Sequence, residues 1–187
     1  YKTIRSESGK VFVYSHTQSS LPPLQIWAKE SPQGEAHYGE ALGSGDFNGD
    51  GYADLAISAP GYDIPDPLIP GELLLQVGVT FVHHGSLTGL ADEPDWYFIG
   101  EQSGAQFGNS LAGVGDVNGD GYDDLLVSAW GYNTEDHSDA GRIYLFLGSA
   151  SGLSSTPDWT YTGSQLNARL GARIALAWSC LTTYWSR

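Results

Sequence analysis

The sequence predicts an all-β fold, a partial β-propeller in which units of four strands repeat along the chain. Three observations support this prediction. First, short apolar segments end at glycine or proline. Second, one sequence pattern recurs every 63 to 70 residues, and third, two of its copies carry the same acidic loop. Short apolar segments with such boundaries are typical of buried strands, and a regular repeat of this length is typical of propellers.

The repeat can be followed from one segment to the next. Gly78–Gly85 aligns with Gly141–Gly148, and the Pro-Asp-Trp segment ending at Trp96 aligns with the one ending at Trp159. An earlier copy contributes Gly9–Tyr14. In the best-defined repeat, the expected strands are Ser110–Gly115, Leu125–Ala129, Arg142–Leu147 and Trp159–Thr162. Four short strands separated by turn signals are the pattern of a propeller blade.

These alignments divide the chain into four predicted units. Residues 1–37 form the second half of one blade, residues 38–106 and 107–169 form two blades, and residues 170–187 start another. Ile174–Ala177 is the expected inner strand of the last unit, and from Trp178 onward the repeat pattern fails. Since these units are too few to close a ring, we expect a piece of a larger propeller. Its partners would be the remaining blades, or other copies joined through strand edges.

Each predicted blade contains a nine-residue acidic loop. The first loop is residues 46–54 and the second loop is residues 116–124, and both follow the pattern D-x-N-x-D-G-Y-x-D. Oxygen-bearing side chains therefore recur at positions 1, 3, 5 and 9. Calcium takes six to eight oxygen ligands, and a cation relieves the repulsion among clustered carboxylates. The sequence predicts two calcium sites.

An EF-hand is the main alternative explanation for these loops. Its loop also begins with this spacing, but it requires a glutamate at position 12 and a helix on either side. Position 12 is Ile57 in the first loop and Val127 in the second. Apolar strand-like segments follow both loops, so the predicted ions lie in turns between strands. A dockerin-type pair of helical loops is excluded for the same reason.

Composition narrows the possible partners. The formal net charge is −14, which disfavours binding to nucleic acids or to anionic membrane surfaces. No apolar segment is long enough to span a membrane as a helix, and one cysteine, Cys180, cannot form a disulfide within the chain. We therefore expect neither a nucleic-acid partner nor membrane insertion.

Catalytic signals are weak. The five histidines are scattered, with no metal-ligand spacing, and no G-x-S-x-G nucleophile motif occurs. We predict that the chain is not an enzyme and has no catalytic or organic-cofactor residues. Trp27, Trp96 and Trp159 recur at one position of the repeat, and we expect them to pack between blades rather than to line a ligand surface.

The motifs resemble the FG-GAP repeat. Tyr38-Gly39 and Phe107-Gly108 precede the inner strands, the acidic loops follow, and Ser58-Ala59-Pro60-Gly61 ends the next strand. The second copy departs from this pattern at Ala129-Trp130-Gly131. The FG-GAP repeat builds the seven-bladed propellers of integrin alpha chains, of glycosylphosphatidylinositol-specific phospholipase D and of many bacterial secreted proteins. The turns and Pro-Asp-Trp motifs look more like those of the bacterial members.

The resemblance implies a ligand set and a location. One calcium ion would be held by side chains and the carbonyl of the tyrosine in the first loop, and another by their counterparts in the second loop. These ligands are Asp46, Asn48, Asp50, Tyr52 and Asp54, and Asp116, Asn118, Asp120, Tyr122 and Asp124. The expected function is adhesion or protein binding by a secreted or cell-surface module. A carbohydrate-binding propeller and a non-catalytic module of a secreted hydrolase remain alternatives.

Overall fold

The predicted all-β fold class is confirmed. The computed structural model describes residues 9–15, 24–31 and 33–175, and all regular elements within these ranges are β-strands. None of these residues forms a helix long and apolar enough to cross a membrane. The twelve strands are β1 Lys10–Ser15, β2 Leu24–Glu30, β3 Leu42–Gly45, β4 Asp54–Ala59, β5 Ile64–Pro65, β6 Leu73–Leu74, β7 Val79–His83, β8 Trp96–Ile99, β9 Phe107–Gly115, β10 Asp124–Ala129, β11 Arg142–Phe146 and β12 Trp159–Thr162.

Two four-stranded antiparallel sheets form the main body. The first sheet has the order β3-β4-β7-β8, and the second sheet has the order β9-β10-β11-β12. Strands β1 and β2 pair with each other and are called here the N-terminal pair. Strands β5 and β6 form a small hairpin within the segment that is longer in the first repeat. Each four-stranded sheet thus follows chain order, as in a propeller blade.

Small residues allow the innermost strands of the two sheets to approach closely. A Cβ atom added to Gly113 in β9 would lie 2.1 Å from the backbone oxygen of Ser44 in β3. A Cβ atom on Gly43 would lie 2.7 Å from the side chain of Leu111. Because a Cβ atom on Gly113 would overlap backbone, glycine is required there, whereas one on Gly43 would have to displace the end of the Leu111 side chain.

Most of the apolar core lies between the sheets. The central strands β4 and β10 are buried on both faces apart from one half-buried residue each, which explains their nearly continuous apolar sequence. One core cluster joins the two sheets and includes Phe107, Tyr144 and Phe146. A second cluster joins the N-terminal pair to the first sheet and includes Trp27 and Tyr38.

The tryptophans behave differently in the three copies. Trp27 and Trp96 are 8% and 9% exposed, and each donates a hydrogen bond from its indole N–H to a backbone oxygen of the following unit. Trp159 is 50% exposed and stacks on Tyr161. The first two pack between units as expected, whereas Trp159 lies on an uncovered face among the described residues.

Two of the expected strands differ from the structure by more than one residue at a boundary. Strand β9 begins at Phe107 rather than Ser110, because Phe107 pairs with Ala129 across a register shift. The expected strand at Ile174–Ala177 is wrong for its two described residues, which lie in no strand. The backbone N–H of Ile174 instead donates to the hydroxyl of Ser110. The predicted irregular tail from Trp178 lies outside the described residues.

Candidate metal centres

The two acidic loops occupy equivalent places in the two sheets. The first loop connects β3 to β4, and the second connects β9 to β10. Positions 4 and 6 of each loop are glycines with positive φ, at 70° and 87° in the first loop and 82° and 95° in the second. Glycine adopts this conformation without the steric cost that a side chain imposes. The repeated backbone turn directs the acidic side chains toward the loop interior.

In the first loop, the acidic side chains accept hydrogen bonds from the loop's own backbone. The Asp46 carboxylate accepts from the backbone N–H groups of Asp50 and Gly51, at 3.0 and 2.9 Å. Oδ1 of Asn48 also accepts from the N–H of Asp50, at 3.0 Å. Oδ1 of Asp50 accepts from the N–H of Tyr52 at 2.9 Å. The structure therefore brings Asp46, Asn48 and Asp50 together around a set of inward-facing amides.

The second loop repeats this arrangement. The Asp116 carboxylate accepts from the backbone N–H groups of Gly119, Asp120 and Gly121, at 2.6, 3.1 and 2.8 Å. These hydrogen bonds, led by the one from Gly121, hold the pKa of Asp116 below its usual value. Oδ1 of Asp120 accepts from the N–H of Tyr122 at 3.1 Å. Asp116 is therefore held in its anionic form, the form a cation needs.

The aspartate at position 9 is placed differently from the others. Asp54 and Asp124 are 1% and 0% exposed, and both oxygens of each side chain accept backbone N–H groups. Asp54 accepts from Phe47 and Gly85 at 2.9 and 2.8 Å, and Asp124 accepts from Val117 and Gly148, both at 2.8 Å. Burial raises the pKa of Asp54, and these amides and His84 oppose that rise. Position 9 thus braces the loop against the turn that follows the third strand of its sheet.

Asp123 joins the two loops, a role that the repeat pattern did not reveal. Its Oδ2 accepts from the backbone N–H of Asp46 at 2.8 Å, and its own N–H donates to the backbone oxygen of Asp46 at 3.1 Å. The equivalent residue of the first loop is Ala53. The aspartate at this position in the second loop and the alanine in the first are the sequence difference that marks the contact. The comparison of the loops used only the positions that they share.

The donor chemistry of the loops suits a hard cation. Each loop offers carboxylate and amide oxygens, which calcium prefers to nitrogen or sulfur ligands. An oxygen that accepts one N–H retains further lone-pair capacity, so the loop hydrogen bonds and an ion are compatible. Within the described ranges, however, no three His, Cys, Asp or Glu side chains are grouped in an arrangement that could hold a metal.

Comparison with known proteins agrees with the repeat analysis. The family model described as FG-GAP repeat matches residues 38–71 and 107–146. Integrin alpha-PS5 of Drosophila melanogaster is 31% identical over 150 residues, or 80% of this chain. Phosphatidylinositol-glycan-specific phospholipase D of Homo sapiens is 34% identical over 76% of the chain, and integrin alpha-3 of Cricetulus griseus is 30% identical over 84%. The chain matches only 13%, 17% and 14% of these three proteins' lengths, respectively.

Proposed function

We propose that this chain, which belongs to the FG-GAP repeat family, is a ligand-binding β-propeller module in which each acidic loop binds a structural calcium ion. The observation that carries the proposal is the recurrence of one loop conformation in both sheets. In each copy, carboxylates at positions 1 and 5 accept hydrogen bonds from amides of the same loop. Two loops that preserve the same oxygen-rich interior are better explained by a shared ligand than by two solvated turns.

The chain's own residues would hold the ions. In the first loop these are Asp46, Asn48, Asp50, Asp54 and the Tyr52 carbonyl, and Asp54 would also support the loop through the hydrogen bonds that it accepts from backbone amides. In the second loop they are Asp116, Asn118, Asp120, Asp124 and the Tyr122 carbonyl. A bound cation would supply positive charge between carboxylates that otherwise repel one another. The role of calcium is then to stiffen the turn between two strands, rather than to take part in a reaction.

Adhesion or protein binding is the function we propose for the whole module. The similar proteins include integrin alpha chains. These proteins are larger, and this chain matches only a small part of their length. We propose a secreted or cell-surface location on the same basis. The phospholipase D relative does not imply catalysis here, because the resemblance lies in the repeat itself. We accordingly propose a non-catalytic module.

Calorimetric titration with calcium tests the metal proposal. We expect two sites with dissociation constants of about 0.1–1 mM, as in extracellular modules, and weak competition by magnesium. Asp50→Ala should remove one site and Asp120→Ala the other. Asp136→Ala is the matched control, because it removes an exposed aspartate outside both loops. Absence of binding at millimolar calcium, or an equal effect of the control, contradicts the proposal.

A binding screen tests the adhesion proposal separately. The full chain would be presented to immobilised extracellular-matrix proteins and to a glycan array, with calcium and with a chelator. Protein binding that persists after the loops are mutated individually supports an adhesion module with structural calcium. Glycan binding without protein binding contradicts adhesion and favours the carbohydrate-binding alternative.

A further inference from the structure

A cavity lies between the N-terminal pair and the first sheet and shares no residue with either acidic loop. It encloses about 340 Å³, a size at the low end of small-molecule sites. Its walls include the aromatic rings of Tyr38, Tyr62 and Phe81, with the imidazole of His83 among them. Lys29, Glu30 and Glu93 also line it, and Lys29 forms an ion pair of 3.0 Å with Glu93.

The equivalent space between the first and second sheets is filled by the ring of Phe98. That ring lies 5.2 Å from the ring of Phe107, 4.9 Å from that of Phe146 and 6.4 Å from that of Tyr144. In the preceding copy of the repeat, these three positions are Tyr38, His83 and Phe81. The walls of the cavity are therefore the same surfaces that surround an aromatic ring in the next interface.

Strand registers identify the residue that leaves the cavity open. Phe98 pairs with Thr80 in the first sheet, and Lys29 pairs with Val11 at the corresponding point of the N-terminal pair. Two residues earlier, Trp96 makes an edge contact with Phe146 at 5.1 Å, and Trp27 makes the same contact with His83 at 5.0 Å. Lys29 therefore occupies the position of Phe98, and its ammonium group turns toward Glu93 and the backbone oxygen of Asp92.

His83 lies in the cavity wall and is only 1% exposed, and one of its ring nitrogens is a hydrogen-bond acceptor. Its Nδ1 lies 2.9 Å from the backbone oxygen of Ala91, which can only accept, so Nδ1 carries the proton. Burial lowers the pKa of His83 and keeps the ring neutral, which leaves Nε2 as an acceptor. The hydroxyl of Tyr38 reaches Nε2 only at 3.5 Å, the outer limit of a hydrogen bond.

We propose that this cavity binds one phenol-type ring, whose aromatic face replaces Phe98 and whose hydroxyl takes the place of the Tyr38 hydroxyl as the donor to Nε2 of His83. The aromatic walls supply the apolar and edge-to-face contacts that favour a ring. The neutral imidazole selects for a donor on that ring, because a ring without one leaves the buried acceptor with only its long contact to Tyr38. This site is independent of calcium and adds a second ligand class to the module.

Titration of the full chain with p-cresol, followed by NMR signals of the lining aromatic rings and the His83 imidazole, tests the proposal. Lys29→Phe should fill the cavity as Phe98 does and weaken p-cresol binding at least about tenfold, since the ligand must displace a packed ring. Thr160→Phe is the control, because it places the same aromatic residue at an exposed position of β12, outside the cavity lining. It should leave binding unchanged.

Toluene tests the role of the hydroxyl. We expect the wild-type chain to prefer p-cresol to toluene about five- to tenfold, and His83→Phe to remove that preference. The peptide Gly-Tyr-Gly distinguishes a tyrosine side chain from a free phenol, and binding of either supports the proposal. Unchanged binding in Lys29→Phe, equal affinity for toluene and p-cresol in the wild type, or no binding of p-cresol at millimolar concentration would overturn it.

Discussion

The two interfaces in this chain use the same backbone arrangement with different side chains. Between the first and second sheets, Phe98, Phe107 and Phe146 form a continuous aromatic core. Between the N-terminal pair and the first sheet, the corresponding positions are Lys29, Tyr38 and His83. The pairing of β1 with β2 has the same register as that of β7 with β8, but the side chains between the units differ. Backbone pairing can therefore maintain the fold of the repeat while the side chains that fill the space between blades change.

The largest expected effect comes from exchanging the residues that distinguish the interfaces. Phe98→Ala should lower the free energy of unfolding by about 3 kcal/mol, since it removes a ring packed against three others. Lys29→Ala, at the equivalent position, should cost less than about 1 kcal/mol, because it removes a partly exposed ion pair. Urea unfolding of both variants measures the difference. Equal losses would show that the two interfaces are energetically alike.

The buried aspartate of the second loop should have the next largest effect. Asp124→Asn replaces one accepting oxygen by an NH₂ group opposite a backbone N–H, at a cost of about 1–3 kcal/mol. The loss should appear in the presence of a chelator, because this aspartate supports the loop through backbone amides. Asp120→Asn, at an exposed position of the same loop, should change stability little under those conditions. If only the calcium-loaded protein distinguishes the variants, position 9 acts as a ligand and not as a brace.

A smaller effect is expected from the contact between the loops. Asp123→Ala removes the acceptor for the backbone N–H of Asp46 and should cost about 1 kcal/mol. It also makes the second loop match the first, which has Ala53 at this position. We expect calcium binding at the first loop to weaken in this variant, measured by titration calorimetry in an Asp120→Ala background. Unchanged affinity there would show that the loops act separately.

Much of the fold was predictable because it depends on repeated local signals. The apolar segment Leu125–Ala129 and the loops on either side predicted the central strand and its turn. The brace formed by Asp124 and the open position of Lys29 were not predictable. The buried position of Asp124 depends on a backbone amide 24 residues away, that of Gly148, and the cavity depends on a side chain that does not fill it. Both are properties of the packed structure. An alignment of the repeats shows that a residue differs, but it does not show the hydrogen bond or the cavity that results.

The smallest predicted effect is the pH dependence that His83 adds to the first interface. Burial, which is the largest cause, and the charge of Lys29 lower its pKa, whereas the hydrogen bond to Ala91 and the charges of Asp95 and Glu93 raise it. Because the net shift is downward, His83 binds a proton more readily in the unfolded chain than in the folded chain near pH 6.5. The stability contributed by the neutral ring is therefore complete above that pH and is lost as the pH falls below it.

His83→Phe should remove this dependence by giving the first interface the residue found in the second. We expect the difference in unfolding free energy between the wild type and His83→Phe to shift toward the variant as the pH falls from 7 to 5. Denaturation at several pH values measures it, and using the difference cancels the titration of the acidic loops common to both proteins. A difference that stays constant with pH, or that shifts toward the wild type, would show that His83 is readily protonated in the folded chain. Below about pH 6.5 it would then offer no neutral acceptor to the cavity, and the two interfaces would differ in charge as well as in filling.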